Sequence, residues 1–222
     1  MAETALFSGR SFAALLFDMD GTLLSSLEAA ERIWGRWAAR HGLDVESFLP
    51  TIHGVRAVDT IARLGLPGVD AQAEADALTA DEMEDMGGIK PIPGAPEFLA
   101  ALPSDRWAIV TSAPHALARR RLAAAGLPVP QLLIAAEDVT RGKPQPDCYH
   151  LAAERLGFAT ADCLVLEDAP AGIAAGEASG AAVAVIAATH LEPMATPHPL
   201  FMDYRGLTPS IIAGRIGLSA RG

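Results

Sequence analysis

Short runs of consecutive apolar residues, each closed by a polar side chain, recur along the chain. Phe12–Phe17 ends at Asp18, Trp107–Val110 ends at Thr111, and Cys163–Leu166 ends at Glu167 and Asp168. Continuous runs of this length predict strands buried on both faces. Gln131–Ala135 and Ala181–Ala187 add two further strands. Between these runs lie helical patterns. Pro114–Ala125, Asp147–Leu156 and Pro170–Ser179 start beside Pro or Asp and stop at Gly126, Gly157 and Gly180, the asymmetry expected of helix ends. Alternating strands and helices predict an α/β fold, a parallel sheet covered by helices on both faces.

From about Ser25 to Gly88 the pattern changes. Leu27–Arg40 places Leu27, Ala30, Trp34, Trp37 and Ala38 on one helical face, and an acidic helical run follows from Asp70 to Met86. No strand is expected here. Gly87-Gly88 and Pro91, Pro93 and Gly94 close the segment. The expected organisation is therefore a core of residues 1–24 and 89–222, with a helical cap of residues 25–88 inserted after the first strand and a cleft between the two.

The chain has 222 residues, half of them hydrophobic, and carries 17 basic and 27 acidic side chains, a net charge of −10. Its basic residues are too scattered to form a patch, so binding to nucleic acid or an anionic membrane is not expected. The longest apolar stretch, near Ala178–Ala188, is about half the ~20 residues needed to span a bilayer. MAETALFSGR lacks the layout of a secretory signal, so a cytoplasmic protein, and a monomer, is expected. Cys148 and Cys163 fit neither a metal pair nor a disulfide framework and are expected to be reduced and buried.

In open α/β sheets, ligands bind beyond the carboxyl ends of the strands. Asp18-Met-Asp20-Gly-Thr22 puts two carboxylates at the first strand end, and Glu167-Asp168 puts two more at another. Thr111 and Ser112 offer hydroxyl and backbone N–H groups ahead of a helix, a site suited to an anion. Lys143 lies in Gly142-Lys-Pro-Gln-Pro-Asp147, where two prolines restrict the loop. Clustered carboxylates are costly unless something neutralises them, and Mg²⁺ beside a substrate phosphate does so. The chemistry indicated is phosphoryl transfer with attack by a carboxylate.

Asp18-Met-Asp-Gly-Thr-Leu-Leu24, Thr111, Gly142-Lys-Pro-Gln-Pro-Asp147 and Glu167-Asp-Ala-Pro-Ala-Gly172 together resemble, in order, the four motifs of the haloacid dehalogenase superfamily. The insert resembles the cap of the subgroup containing β-phosphoglucomutase and small sugar and polyol phosphatases. This resemblance implies a Rossmann-like core under a mobile helical lid. It implies Asp18 as nucleophile and Asp20 as general acid and base. It implies Mg²⁺ held by Asp18, Asp168 and the Asp20 carbonyl with Glu167 nearby, and a phosphoryl group held by Thr111 and Lys143. Relatives commonly carry Asp-Ser where this chain has Ser25-Ser26, which bears on the lid hinge.

His53-Gly-Val-Arg56 resembles the substrate-facing loop of polyol and deoxysugar phosphatases, so His53 and Arg56 are the expected readers of substrate hydroxyls. Asp81–Asp85 reads as a solvated helix face from which one carboxylate can accept a sugar hydroxyl. His115, His150, His190 and His198 read as surface or loop residues, and Trp34 and Trp37 as packing. The expected activity is Mg²⁺-dependent hydrolysis of a small sugar or polyol phosphate. A β-phosphoglucomutase-like phosphomutase shares the same core, while a metal-free haloacid dehalogenase would leave Asp20 and Asp168 without a purpose.

Overall fold

The computed structural model describes residues 3–190 and 194–221. In chain order the elements are β1 (Glu3–Ala5), β2 (Ala14–Phe17), β3 (Leu24–Ser25), α1 (Leu27–Arg40), α2 (Val45–Phe48), α3 (Ala57–Leu64), α4 (Ala71–Glu84) and β4 (Lys90–Pro91). There follow α5 (Ala95–Ala100), β5 (Trp107–Val110), α6 (His115–Ala124), β6 (Leu133–Ile134), α7 (Asp147–Leu156), β7 (Cys163–Glu167) and α8 (Pro170–Ala178). The chain closes with β8 (Ala182–Ile186), β9 (Leu200–Phe201), β10 (Leu207–Ile212) and β11 (Arg215–Arg221).

Six parallel strands form the main sheet in the order β6-β5-β2-β7-β8-β9. Alternate side chains of the central strand go to opposite faces, as the pleat requires. Leu15 and Phe17 pack with Phe98 of α5 and Leu122 of α6, whereas Ala14 and Leu16 pack with Tyr149 and Ala152 of α7. Burial on both faces accounts for the unbroken apolar runs. The chain leaves β2 toward β5 and β6 and then returns to β7 on the other side of β2, so the sheet reverses its order beside β2. Crevices form at such reversals, beyond the carboxyl ends of the strands.

Helices α1 to α4 bury an apolar cluster of their own, in which Trp34 and Trp37 meet edge to face at 5.7 Å and both lie against Phe48. The two chain crossings that bound these helices pair as an antiparallel ribbon, Leu24 opposite Pro91 and Ser25 opposite Lys90. Sequence pattern placed no strand there, because two-residue strands carry no periodicity.

Three further strands were also unforeseen. β1, β11 and β10 form a separate antiparallel sheet, with β10 and β11 joined through Ala213-Gly214, both at positive φ as a two-residue hairpin turn demands. This hairpin borrows the start of the Phe12–Phe17 run. Phe12 exchanges backbone hydrogen bonds with Ile216, so β2 itself begins only at Ala14. Among the described residues no helix is long and apolar enough to cross a membrane. Cys148 and Cys163 are free and buried, as expected.

Candidate active site

Three strand ends meet at the sheet's order reversal. Asp18 follows β2, Thr111 follows β5, and Glu167 and Asp168 end β7. Lys143, from the loop before α7, inserts its ammonium among them with its side chain only 1% exposed. It donates to Asp18 Oδ1 at 2.6 Å, to Glu167 Oε1 at 2.7 Å and to the Val110 carbonyl at 3.0 Å, which uses all three of its protons. Burial alone would lower the Lys143 pKa, but the Asp18 and Glu167 carboxylates outweigh it and raise it, so the side chain stays cationic.

Glu167 is fully committed to the protein. Its Oε1 also accepts from Tyr149 Oη at 2.6 Å, and its Oε2 accepts from the N–H groups of Asp168 at 3.1 Å and Ala169 at 3.4 Å. Four bonds fill the acceptor capacity of a carboxylate. Glu167, expected close to the metal, thus fixes the ammonium of Lys143 in place. Gly172 explains part of the fourth motif in the same terms. A Cβ there would lie 1.8 Å from Glu167 Oε1, so only glycine leaves the carboxylate its place.

Asp18 and Asp168 are left less compensated. Burial and the Glu167 charge push the Asp18 carboxyl up to about 8 even with Lys143 opposing them. Burial, Asp18 and Glu167 raise Asp168 well above the usual carboxylate range, and among the described residues its carboxylate accepts a hydrogen bond only from the Thr22 hydroxyl, at 3.3 Å. Oxygens of Asp18, Glu167 and Asp168 lie within 4.8 Å of one another. Three buried carboxylates facing one ammonium form a donor set that suits a hard divalent cation. Asp18 and Asp168 fit Mg²⁺ best, since neither carboxylate has its acceptor capacity filled by the protein, whereas that of Glu167 is full.

The remaining expected residues lie around one cavity of about 1130 Å³, slightly above the ~300–1,000 Å³ usual for ligand clefts. Asp18, Asp20, Thr111, Ser112 and Asp168 line its floor, and His53 and Arg56 line its roof. Thr111 Oγ1 accepts from the Ala113 N–H at 3.0 Å, which leaves its hydroxyl proton to give. The Ser112 hydroxyl, by contrast, donates to the Gly54 carbonyl at 2.9 Å and so ties the floor to the roof. Burial lowers the His53 pKa, keeping a neutral imidazole beside the cavity.

Arg56 has an occupation that the sequence did not suggest. Its Nε and Nη2 form a fork on Asp59 at 2.6 and 3.1 Å, and Nη1 and Nη2 donate to the Val139 and Thr140 carbonyls at 3.1 and 3.0 Å. Four of its five N–H groups are thereby engaged. A Cβ on Gly142 would come within 2.6 Å of Arg56 Nε, so glycine beside Lys143 gives this side chain its room. The hydroxyl-reading role expected of Arg56 thus falls to a guanidinium with one N–H to spare.

One other reading needs correction. Glu82, expected on a solvated face, is buried and pairs with Arg121 Nη2 at 3.1 Å. His190 lies in a loop, as expected, and that loop borders the cavity. Arg121 itself was missed. It shares the buried face of α6 with Leu117, Ala118 and Leu122, and a lone arginine on an apolar stripe was the signal available. Its Nη1 donates to Asp20 Oδ1 at 3.0 Å, and Ser26 Oγ donates to the same oxygen at 2.6 Å.

Residues 12–180 match the haloacid dehalogenase-like hydrolase family. The chain belongs to it. Within this family of hydrolases, the chain is 45% identical over 175 residues to hexitol phosphatase A of Escherichia coli (strain K12), a match covering 77% of this chain and 81% of that protein. It is 35% identical over 189 residues to glycerol-1-phosphate phosphohydrolase 2 of Saccharomyces cerevisiae (strain ATCC 204508 / S288c), covering 79% and 75%. Its fold is similar to that of a hydrolase from Pseudomonas syringae, with a TM-score of 0.72 and 25% identity over 81% of this chain and 86% of that one. The α/β architecture with a central parallel sheet is accordingly that of haloacid dehalogenase-like hydrolases.

Proposed function

We propose that this hydrolase removes phosphate from small polyol or sugar monophosphates through an aspartyl-phosphate on Asp18. The observation that carries this reading is Asp18 at the floor of a large cavity, its Oδ1 held by Lys143 and its Oδ2 without a hydrogen-bond partner among the described residues. Similarity to a hexitol phosphatase and a glycerol-1-phosphate phosphohydrolase supports the substrate class.

Asp18 Oδ2 attacks phosphorus, the bond to the polyol oxygen breaks, and the departing alkoxide takes a proton from Asp20. Water then attacks the phosphorus of the aspartyl-phosphate while Asp20 accepts its proton, and inorganic phosphate leaves with Asp18 restored. Positioned proton transfer of this kind contributes ~10²–10⁴-fold. Asp18 and Asp168, with the Asp20 carbonyl, are the residues that would hold Mg²⁺. The ion supplies charge neutralisation for the phosphoryl oxygens. Thr111 and the Ser112 N–H would hold those oxygens, with Lys143 giving up one of its present bonds.

The chain segment 25–88 serves as the lid and the rest as the core. The lid side of the cavity carries Glu31, Asp76 and Glu82 but no uncommitted cation among the described residues, which suits a neutral hydroxyl-rich tail better than a second phosphate. His53 is the proposed hydroxyl reader, and Arg56 the anchor that seats its loop on the core.

Phosphate release from hexitol, glycerol and hexose monophosphates, measured with and without Mg²⁺, tests this reading. Turnover should be strongest on neutral-tailed substrates and should vanish reversibly on chelation. Undiminished turnover after exhaustive chelation would sink the metal-dependent mechanism. Phosphate reappearing on a different hydroxyl of the substrate, with none released, would indicate a mutase instead.

Arg56→Ala should unseat the loop and lower kcat/KM by roughly tenfold or more, since small misplacements cost this much. The loss should be similar for a polyol phosphate and for p-nitrophenyl phosphate. A loss confined to the polyol substrate would return Arg56 to reading hydroxyls.

A further inference from the structure

One buried cation has no part in the reaction as drawn above. Arg121 is 5% exposed, sits on core helix α6 and reaches two carboxylates from different parts of the chain. Asp20 comes from the loop after β2. Glu82 comes from α4, in the segment assigned to the lid, and is itself only 8% exposed. The guanidinium Nε is buried with no hydrogen-bond partner among the described residues. A buried donor left unmade costs about 1–3 kcal/mol. The side chain therefore sits where its two terminal nitrogens bridge the carboxylates, and not where its own bonding would be complete.

The second donor to Asp20 has a similar origin. Ser26, at the N-terminus of α1 and beside the β3–β4 ribbon, donates to the same Oδ1 that Arg121 holds. Asp20 Oδ1 is thus held by a hinge residue and by a guanidinium that a lid carboxylate orients. Its Oδ2 accepts no hydrogen bond among the described residues. The neighbouring Arg120 donates to the Met83 carbonyl, so α6 grips α4 at consecutive positions.

We propose that Arg121 is a positioning residue that makes placement of the Asp20 carboxylate conditional on lid seating. Glu82 fixes the guanidinium, the guanidinium and Ser26 fix Asp20 Oδ1, and Oδ2 is left facing the reaction to exchange the proton. With the lid away, Glu82 leaves and Asp20 loses one of its two tethers. Proton transfer is thereby set up only over an enclosed substrate. This inference rests on the acid–base role proposed for Asp20.

The test is a double-mutant cycle on Mg²⁺-supplemented full-length protein, with sorbitol 6-phosphate as the probe. Arg121→Gln should lower kcat by roughly 10–100-fold, a part of the ~10²–10⁴-fold available from positioned acid–base catalysis, with KM changed by less than about threefold. Glu82→Gln, which touches Asp20 only through Arg121, should give a smaller loss of the same kind. In an Asp20→Asn background neither substitution should lower kcat further, because effects through one shared group are not additive.

Equal losses in the Asp20→Asn and native backgrounds would overturn the proposal, as would a rise in KM at unchanged kcat, which would make these residues substrate readers. Should Arg121→Gln not fold, Glu82→Gln completes the same cycle, and the isosteric change keeps it interpretable. If Asp20→Asn alone turns over normally, the acid–base assignment falls and this proposal falls with it. If Asp20→Asn is impaired while Glu82→Gln and Arg121→Gln match the native protein, only the positioning role is lost.

Discussion

Asp18→Asn should reduce kcat/KM by roughly 10⁴-fold or more, the scale seen when a nucleophile is removed. The amide keeps the shape of the carboxylate but cannot attack phosphorus. This loss should come without a loss of stability. Asp18 is buried beside Glu167, and its carboxyl is pushed up to about 8. A carboxyl raised in the folded state binds its proton more tightly there than in the unfolded chain. Its contribution is therefore fully present below about pH 4 and is lost as pH rises through about 8. The metal-free native protein should become less stable across that window, and Asp18→Asn should flatten the decline. Urea unfolding at several pH values, beside phosphate-release assays, checks both halves. Near-normal turnover would remove Asp18 from the mechanism, and an unchanged pH slope would place the raised carboxyl elsewhere.

The parts of this protein that were legible in its sequence are those where one physical demand acts on consecutive residues. β2, β5 and β7 are buried on both faces, so each is written as an unbroken apolar run whose first polar residue marks the site. α7 begins at Asp147 and stops at Leu156 before Gly157, with both ends signalled locally. β3, β4 and β9 hold two residues each and exist because distant segments meet. The β10–β11 hairpin was hidden for another reason. It leaves Ile211 and Ile212 exposed, so apolar alternation does not report its buried face.

The same division runs through the site. Asp18, Thr111, Lys143 and Asp168 sit at strand ends or in a proline-restricted loop, where residue type and position together imply chemistry. Arg121 lies mid-helix within Arg119-Arg120-Arg121, and only the turn of α6 separates the buried member from its solvated neighbours. Glu82 was masked in the same way by the acidic residues around it. Arg56 was correctly placed over the cavity, yet its partners Val139 and Thr140 are more than 80 residues away in sequence. Motifs point to the groups proposed to react. They do not report the ion pairs and carbonyl contacts that join the 25–88 segment to the rest of the chain.

Lys143→Met should be the most destabilising single change at the site. Methionine nearly matches the lysine stem in length, so the substitution chiefly deletes the ammonium that Asp18, Glu167 and the Val110 carbonyl share. Removing one partner from a buried ion pair typically costs about 3–5 kcal/mol, because the other charge remains buried and uncompensated. Here two such charges remain, with Asp168 close by. The stability difference from the native protein should grow with pH. Lys143 stays cationic throughout the accessible range, so its own titration does not contribute. In the variant the Asp18 carboxyl, already raised, rises further, so its protonated form relieves the strain at low pH and the penalty returns as pH climbs. Urea unfolding of both metal-free proteins at pH 5 and pH 8 measures this, and phosphate release should fall by roughly 10²–10³-fold, the scale of one lost electrostatic contact. A difference that is small, or equal at the two pH values, would mean that the carboxylates find another counter-charge and that Lys143 does not hold the cluster together.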